Sequence, residues 1–239
     1  MRLLLDTDIG TDVDDCLALA LLLHSPEVEL EAVTCVYGDV DLRARMVLKL
    51  LALAGRTEVP VAAGAAQALL GQRPVYWEGH EGAGLLEPED DRLTPVAGHA
   101  AELIVRQARE NPGRLTLLAI GPLTNVALAV LVEPELPRLL AGVTIMGGSV
   151  RVGDLALPRV EHNFACDPEA AQVVLGAGLP VTLVPLDVTL KTRLGAGALE
   201  AIRTGGTPFD EAVARQLELY PRFVERGFTT PHDPLAAAT

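Results

Sequence analysis

Short, mainly apolar runs (residues 3–5, 29–36, 59–62, 115–120, 142–146 and 181–184) alternate with longer stretches in which apolar residues recur at helical spacing (15–23, 42–54, 98–110, 123–131 and 168–176). Strands without a polar face are buried on both sides. The pattern therefore predicts an α/β fold with a mainly parallel central sheet flanked by helices on both faces. No internal repeat, low-complexity tract or linker interrupts this order, so residues 1–239 read as a single domain. Residues 71–95 follow neither rhythm and read as a long functional loop or lid. In sheets of this kind ligands lie beyond the carboxyl ends of the strands. That rule gathers residues 6–15, 37–41, 120–125 and 147–149, together with Asp187, at one rim.

This rim is acidic. Leu5 is followed by Asp6-Thr7-Asp8-Ile9-Gly10-Thr11-Asp12-Val13-Asp14-Asp15, which puts five aspartates where a strand gives way to a helix around a turn-permitting glycine. Asp14 and Asp15 in a first helical turn would complement the helix dipole, worth a few tenths to ~1 kcal/mol each. That leaves Asp6 and Asp8 without a structural reason. Carboxylates this dense must be protonated, solvated or bound to a cation, and an all-oxygen set suits a hard divalent ion.

The net charge of −13 argues against nucleic acid or an anionic membrane as partner. No apolar run reaches the ~18 residues a membrane span needs, and the start lacks the features of a signal peptide. Cys16, Cys35 and Cys166 are odd in number and widely spaced, which suits a reducing cytoplasm. The preference for arginine over lysine (lysine stands only at 49 and 191) reads as genome composition.

Further motifs occupy the same rim. Gly121-Pro122-Leu123-Thr124-Asn125 ends an apolar strand, opens a helix and leaves the Ile120 carbonyl pointing from the strand end, although a plain Gly-Pro turn explains it too. Met146-Gly147-Gly148-Ser149 is a glycine-rich strand end. Neither GxGxxG nor GxxxxGK[ST] occurs, so a nucleotide-phosphate site has little support. Glu161 and Asn163 share one side if their segment is extended. Asp167-Pro168 reads as a helix cap with proline at the first helical position. In His232-Asp233-Pro234, a helix cap explains Asp233 about as well as metal binding does, and His232 alone reads as a surface or capping histidine.

Taken in order from residue 2 to 238, these motifs resemble the nucleoside hydrolase family of inosine–uridine-preferring ribonucleoside N-glycosidases. The resemblance implies an open, Rossmann-like nucleoside hydrolase fold and hydrolysis of ribonucleosides to ribose and free base, a step of purine or pyrimidine salvage. It implies Ca²⁺ on the carboxylates of Asp8, Asp15 and Asp233 and the carbonyl of Ile120, with ribose hydroxyls completing the shell. Asp8 would be the general base for a metal-bound water, and an oxocarbenium-like transition state would suit so anionic a pocket. Asp14 would buttress the metal site beside the sugar and Asp6 would orient the cluster. Glu161 and Asn163 would hold sugar hydroxyls, and His232 would protonate the departing base. A cytoplasmic homo-oligomer, dimer or tetramer, is the family's usual form.

The chain also departs from that pattern. Two residues are inserted between the second acid and the Asp14-Asp15 pair, so Asp12 competes with Asp14 for a place in the shell. Asp39 stands where the family has asparagine, and Asp154 falls near an expected sugar-binding asparagine. Both would add negative charge beside the ribose. His80-Glu81-Gly82 resembles the family's His-Gly lid loosely, so either His80 or Glu81 could face the base. Family chains usually continue several dozen residues beyond the His-Asp-Pro segment. Ending at Thr239 is expected to expose apolar surface on the last helix and to loosen Asp233.

Two other readings fit parts of the pattern. A haloacid-dehalogenase-type phosphatase would use Asp6 as nucleophile and Asp8 as acid/base with Mg²⁺, but no Gly-Asp-x-x-x-Asp follows Lys191. A non-catalytic nucleoside or ribose binder would keep the fold without turnover.

Overall fold

The structure, a computed structural model, describes residues 1–71, 73–151 and 160–239. Strand β1 (Arg2–Thr7) is built on three leucines that alternate sides, with Leu3 and Leu5 entering one core and Leu4 the other. All three are almost fully buried. Burying one leucine removes enough apolar surface to stabilise by about 1.5–3 kcal/mol.

After α1 (Asp14–His24) come β2 (Glu29–Cys35), α2 (Val40–Leu53) and the short β3 (Val61–Ala63). Among the described residues, 64–71 and 73–99 then cross the surface with only a 3-10 turn at Pro88–Arg92. That turn has a capping box between Glu87 and Asp90, and Lys49 reaches Asp90 at 2.8 Å. Next come α3 (Ala100–Glu110), β4 (Leu115–Ala119), α4 (Thr124–Val132), α5 (Leu136–Leu139), β5 (Leu140–Met146), α6 (His162–Cys166), α7 (Pro168–Gly176) and β6 (Val181–Val184). The remaining chain is mostly helical, with α8 (Leu186–Thr189), α9 (Ala196–Thr204), α10 (Pro208–Leu219), α11 (Pro221–Arg226) and α12 (His232–Ala237). A small hairpin of β7 (Leu194–Gly195) and β8 (Phe228–Thr229) brackets α9 to α11.

Six strands form one parallel sheet in the order β3-β2-β1-β4-β5-β6. The chain winds outward from β1 to β3, then returns to place β4 on the other side of β1. At such a reversal a crevice opens at the carboxyl ends of the two central strands. Asp8 follows β1 and Ile120 follows β4, so the topology brings both residues to this crevice.

The expected parallel sheet is present, with two local differences. Residues 161–163 are not extended, because the Glu161 carboxylate accepts from Asn163 N (2.7 Å) and Phe164 N (3.0 Å) and starts α6. Asp233 is not a helix cap. It lies in the first turn of α12, which Pro231 precedes. Asp167 does cap α7, accepting from Ala170 N at 3.0 Å, and also receives Thr124 Oγ1 (2.7 Å) and Leu69 N (2.8 Å).

Candidate active site

At the β1/β4 crevice lies a cavity of about 320 Å³ whose lining includes Asp8, Asp14, Asp15, Asp233 and Ile120. Carboxylate oxygens of Asp14, Asp15 and Asp233 all lie within 4.8 Å of one another, and all three residues are buried. The first two stand in the opening turn of α1 and the third in that of α12, two helices packed side by side. Asp233 N donates to Asp14 Oδ2 at 3.2 Å, so Asp233 is tied in and only 4 % exposed, against the expectation of a loosened residue. Asp14 thus stands inside the compact acid group rather than behind it. Asp12 lines the same cavity outside that trio and accepts from the Tyr220 hydroxyl at 2.7 Å.

The segment that carries Asp8 is held from below. The Arg43 guanidinium, fully buried, donates to the carbonyls of Tyr37 (2.6 Å), Ile9 (2.6 Å) and Asp8, and to Thr11 Oγ1 (3.2 Å). Its other face stands over the Trp77 ring, 5.0 Å from the centroid. Thr7 donates its hydroxyl to Asp15. Asp6 does not line the cavity. It is buried under it, accepting from Thr34 Oγ1 (2.6 Å) and Asn125 Nδ2 (2.8 Å), with its second oxygen unpartnered. Gly121 sits so close that a Cβ there would fall 2.8 Å from Asp8 Oδ1, which is why a glycine follows Ile120. Tyr37 is the one non-glycine residue with positive φ (68°) among those described, a conformation that costs a bulky side chain roughly 1–2 kcal/mol.

Glu161, Asn163 and His232 line the same cavity as the acids. Glu161 is already engaged by α6 and by Gly148 N (2.9 Å), and Asn163 Nδ2 donates to the carbonyls of Ile120 (2.8 Å) and Met146 (3.2 Å). The Ile120 carbonyl therefore has one partner and one free lone pair. His232 Nδ1 meets Thr189 Oγ1 at 2.8 Å, leaving Nε2 for the cavity.

Two expected substrate contacts are not brought here. Asp39 is exposed, caps α2 by accepting from Leu42 N (2.9 Å), and borders a separate shallow groove beside Trp77. His80 lines a second cavity behind the Ile9–Val13 turn, its Nε2 3.1 Å from the Thr11 carbonyl. Glu81, the alternative lid residue, is turned inward and accepts from Thr11 Oγ1 (3.0 Å), Glu78 N (3.0 Å) and Gly79 N (2.7 Å). It fastens the lid to the acidic turn. Asp154 lies outside the described residues. Unanticipated lining residues include His162, Tyr76, Glu78, Tyr220 and Arg222.

Burial pushes Asp8, Asp14, Asp15 and Asp233 up from the usual carboxylate range. Mutual repulsion adds to this for Asp14, Asp15 and Asp233, while the charge of Arg43 pulls Asp8 and Asp15 back. Burial also raises Asp6, to about 7, and lowers His232. Such a group stays ionised only if a positive charge joins it, and the clustered donors of Asp14, Asp15 and Asp233 are all hard carboxylate oxygens. The residues present fit a divalent cation of the Ca²⁺ or Mg²⁺ kind.

Residues 3–239 match the family model described as inosine-uridine preferring nucleoside hydrolase. The chain belongs to this family. As a nucleoside hydrolase, it is an enzyme that cleaves the N-glycosyl bond of ribonucleosides. It is 38% identical over 247 residues to the pyrimidine-specific ribonucleoside hydrolase RihA of Citrobacter koseri, covering all of this chain and 78% of that one. Among solved structures it is similar to the purine-preferring ribonucleoside hydrolase of Gardnerella vaginalis (TM-score 0.87, 30% identity, 100% of this hydrolase and 79% of that chain). It is equally similar in fold to a plant nucleoside hydrolase, PpNRh1 (TM-score 0.87, 28% identity, 99% and 77% covered).

Proposed function

We propose that this nucleoside hydrolase is Ca²⁺-dependent and releases ribose by direct attack of water, with Asp8 as general base. The buried trio Asp14, Asp15 and Asp233 beside Asp8, at the crevice between β1 and β4, carries this reading. Asp15, Asp233 and Asp8 would hold the ion with the free lone pair of the Ile120 carbonyl, and Asp14 would share or buttress that shell. When bound, Ca²⁺ supplies the positive charge that keeps these acids ionised and polarises the oxygens within its reach.

Asp8 accepts the proton of the attacking water, an assignment supported by its place on the cavity wall and by the three bonds from Arg43 to Asp8, Ile9 and Thr11 that fix its segment. As the glycosidic bond stretches, positive charge grows on the ribose, and the surrounding carboxylates stabilise it. Glu161 Oε1, which accepts only from Asn163 N, and the Asn163 side-chain oxygen keep capacity to accept from sugar hydroxyls, and backbone partners hold both side chains in place. His232, with its Nδ1 on the Thr189 hydroxyl, presents Nε2 to the leaving base and hands it a proton.

The relatives span pyrimidine-specific and purine-preferring enzymes, so a panel of bases is the natural test. Ribose release from uridine, cytidine, inosine and adenosine is measured with EGTA, then after adding Ca²⁺ or Mg²⁺. Release abolished by the chelator and restored by Ca²⁺ is expected. Undiminished release in EGTA would overturn the metal assignment. Tight nucleoside binding without release would leave a binder.

A further inference from the structure

Behind the acidic turn lies a second cavity, of about 150 Å³ and mainly apolar in its lining. Ile9 and Val13 of the turn, Cys16 of α1 and Met46 of α2 form its floor, each at most 5 % exposed. Lid residues His80 and Ala83 and the α10 residues Gln216 and Leu219 complete it. Ala83 and Leu219 are exposed, so the cavity opens to solvent between the lid and α10. There the two segments touch closely, since a Cβ on Gly84 would collide with Leu219.

The few polar groups of this cavity are almost all paired. Asp12 Oδ1 accepts from Val13 N (2.7 Å) and Oδ2 from the Tyr220 hydroxyl (2.7 Å). His80 has Nε2 at the Thr11 carbonyl (3.1 Å) and Nδ1 3.5 Å from Glu78. The Gln216 amide donates to the Ala83 carbonyl at 3.0 Å, which leaves its Oε1 as an acceptor. A ribose would leave most of its hydroxyls unpaired here, so this is not a second place for the substrate. An apolar cavity of this size takes a benzene-sized molecule. The Met46 thioether favours an aromatic edge, and Gln216 adds a partner for one donor on the ring.

We propose that this cavity is a second ligand site, for a small aromatic molecule with one N–H or O–H donor, of the indole or phenol kind, and that its occupant slows turnover. Asp12 and Tyr220 line both cavities, and the lid reaches the first through Tyr76 and Glu78. A molecule wedged between the turn, the lid and α10 gains its contacts only while these three stay together. It therefore holds the lid down, and products leave more slowly. Binding at this site is independent of the nucleoside reading; the effect on turnover rests on it.

The test uses calorimetry with indole and with toluene, which has the ring and no donor, on the Ca²⁺-saturated wild type and Gln216→Leu. The wild type is expected to bind indole with a Kd of about 0.1–1 mM, and saturating ribose should leave that value unchanged. Gln216→Leu should weaken indole about 2–10-fold, the worth of one hydrogen bond, and leave toluene as it was. Saturating indole should lower kcat on inosine by about twofold or more without raising KM. No binding in the millimolar range, displacement by ribose, or a purely competitive pattern would overturn the second site. Equal losses for indole and toluene would overturn the Gln216 contact, and bound indole with unchanged kcat would overturn the coupling. A wild type that releases ribose from no nucleoside would sink the hydrolase reading instead, and the indole–toluene contrast would still decide the site.

Discussion

Replacing Arg43 by methionine keeps most of the side-chain volume and removes a buried guanidinium with four hydrogen-bond partners. Three of those partners are main-chain carbonyls, at Asp8, Ile9 and Tyr37, and a hydrogen bond to a charged donor contributes about 1.5–3 kcal/mol. The three together give roughly 5–9 kcal/mol as an upper limit, and entry of water recovers part of it. A net loss of at least about 3 kcal/mol is expected, in line with other breaks of buried polar networks. A second effect acts on function. Arg43 supplies the charge that pulls Asp8 and Asp15 down, so its loss favours their protonated forms and weakens cation binding. Urea unfolding in EGTA and in saturating Ca²⁺ separates the two, because the gap between the curves reports ion affinity. Arg43→Lys is the control. It keeps the charge without the planar fork, so it should restore ion affinity better than stability. A loss below about 1 kcal/mol in Arg43→Met, with an unchanged gap between the curves, would refute the idea that this residue holds the acidic turn.

Asp8→Asn should weaken Ca²⁺ binding, and at saturating Ca²⁺ turnover should still fall about 10²–10⁴-fold; near-normal turnover removes Asp8 as the base. Gly121→Ala places a methyl 2.8 Å from Asp8 Oδ1 and Val36 Cγ1, so kcat should fall and stability drop by about 1–3 kcal/mol, whereas unchanged kcat would mean that Asp8 tolerates displacement. His232→Ala should slow uridine and inosine far more than p-nitrophenyl riboside, whose leaving group needs no proton; equal losses take His232 out of that role. The ion-free protein has a pH trend of definite sign. Asp6, Asp14, Asp15 and Asp233 have folded values raised above 3.8, Asp6 to about 7, so the native state binds more protons than the unfolded one between those limits. As far as these groups decide it, stability in EGTA is therefore greatest below about pH 3.8 and falls as pH rises toward 7 and above. A Tm in EGTA that climbs steadily from pH 5 to 8 would contradict this.

The sheet was legible because strands buried on both faces leave unbroken apolar runs, as at Leu3, Leu4 and Leu5. The helices of residues 196–226 were not assigned, since glycines and prolines break their rhythm. The Thr207-to-Asp210 capping box that opens α10 was the available signal. In the site, the acids stood out because charge density is a property of the sequence itself. Arg43 did not: an arginine in an amphipathic helix reads as a surface residue, and only the return of residues 8–11 and Trp77 against α2 buries it. Asp39 misled for the opposite reason. A carboxylate three residues before a helical N–H is a cap by default, and the structure uses it so.

Asp14 and Asp233, hydrogen-bonded partners in the cavity, are 219 residues apart in the chain. During synthesis the acidic run therefore emerges long before Asp233 can join it. Until then Asp14 and Asp15 face each other without the third carboxylate that closes their cage. Long-range closures of this kind come late in folding because their entropy is lost before their contacts form. A cation held as proposed would be captured only after that closure, and a chain cut short before Asp233 would lack the third carboxylate of the group.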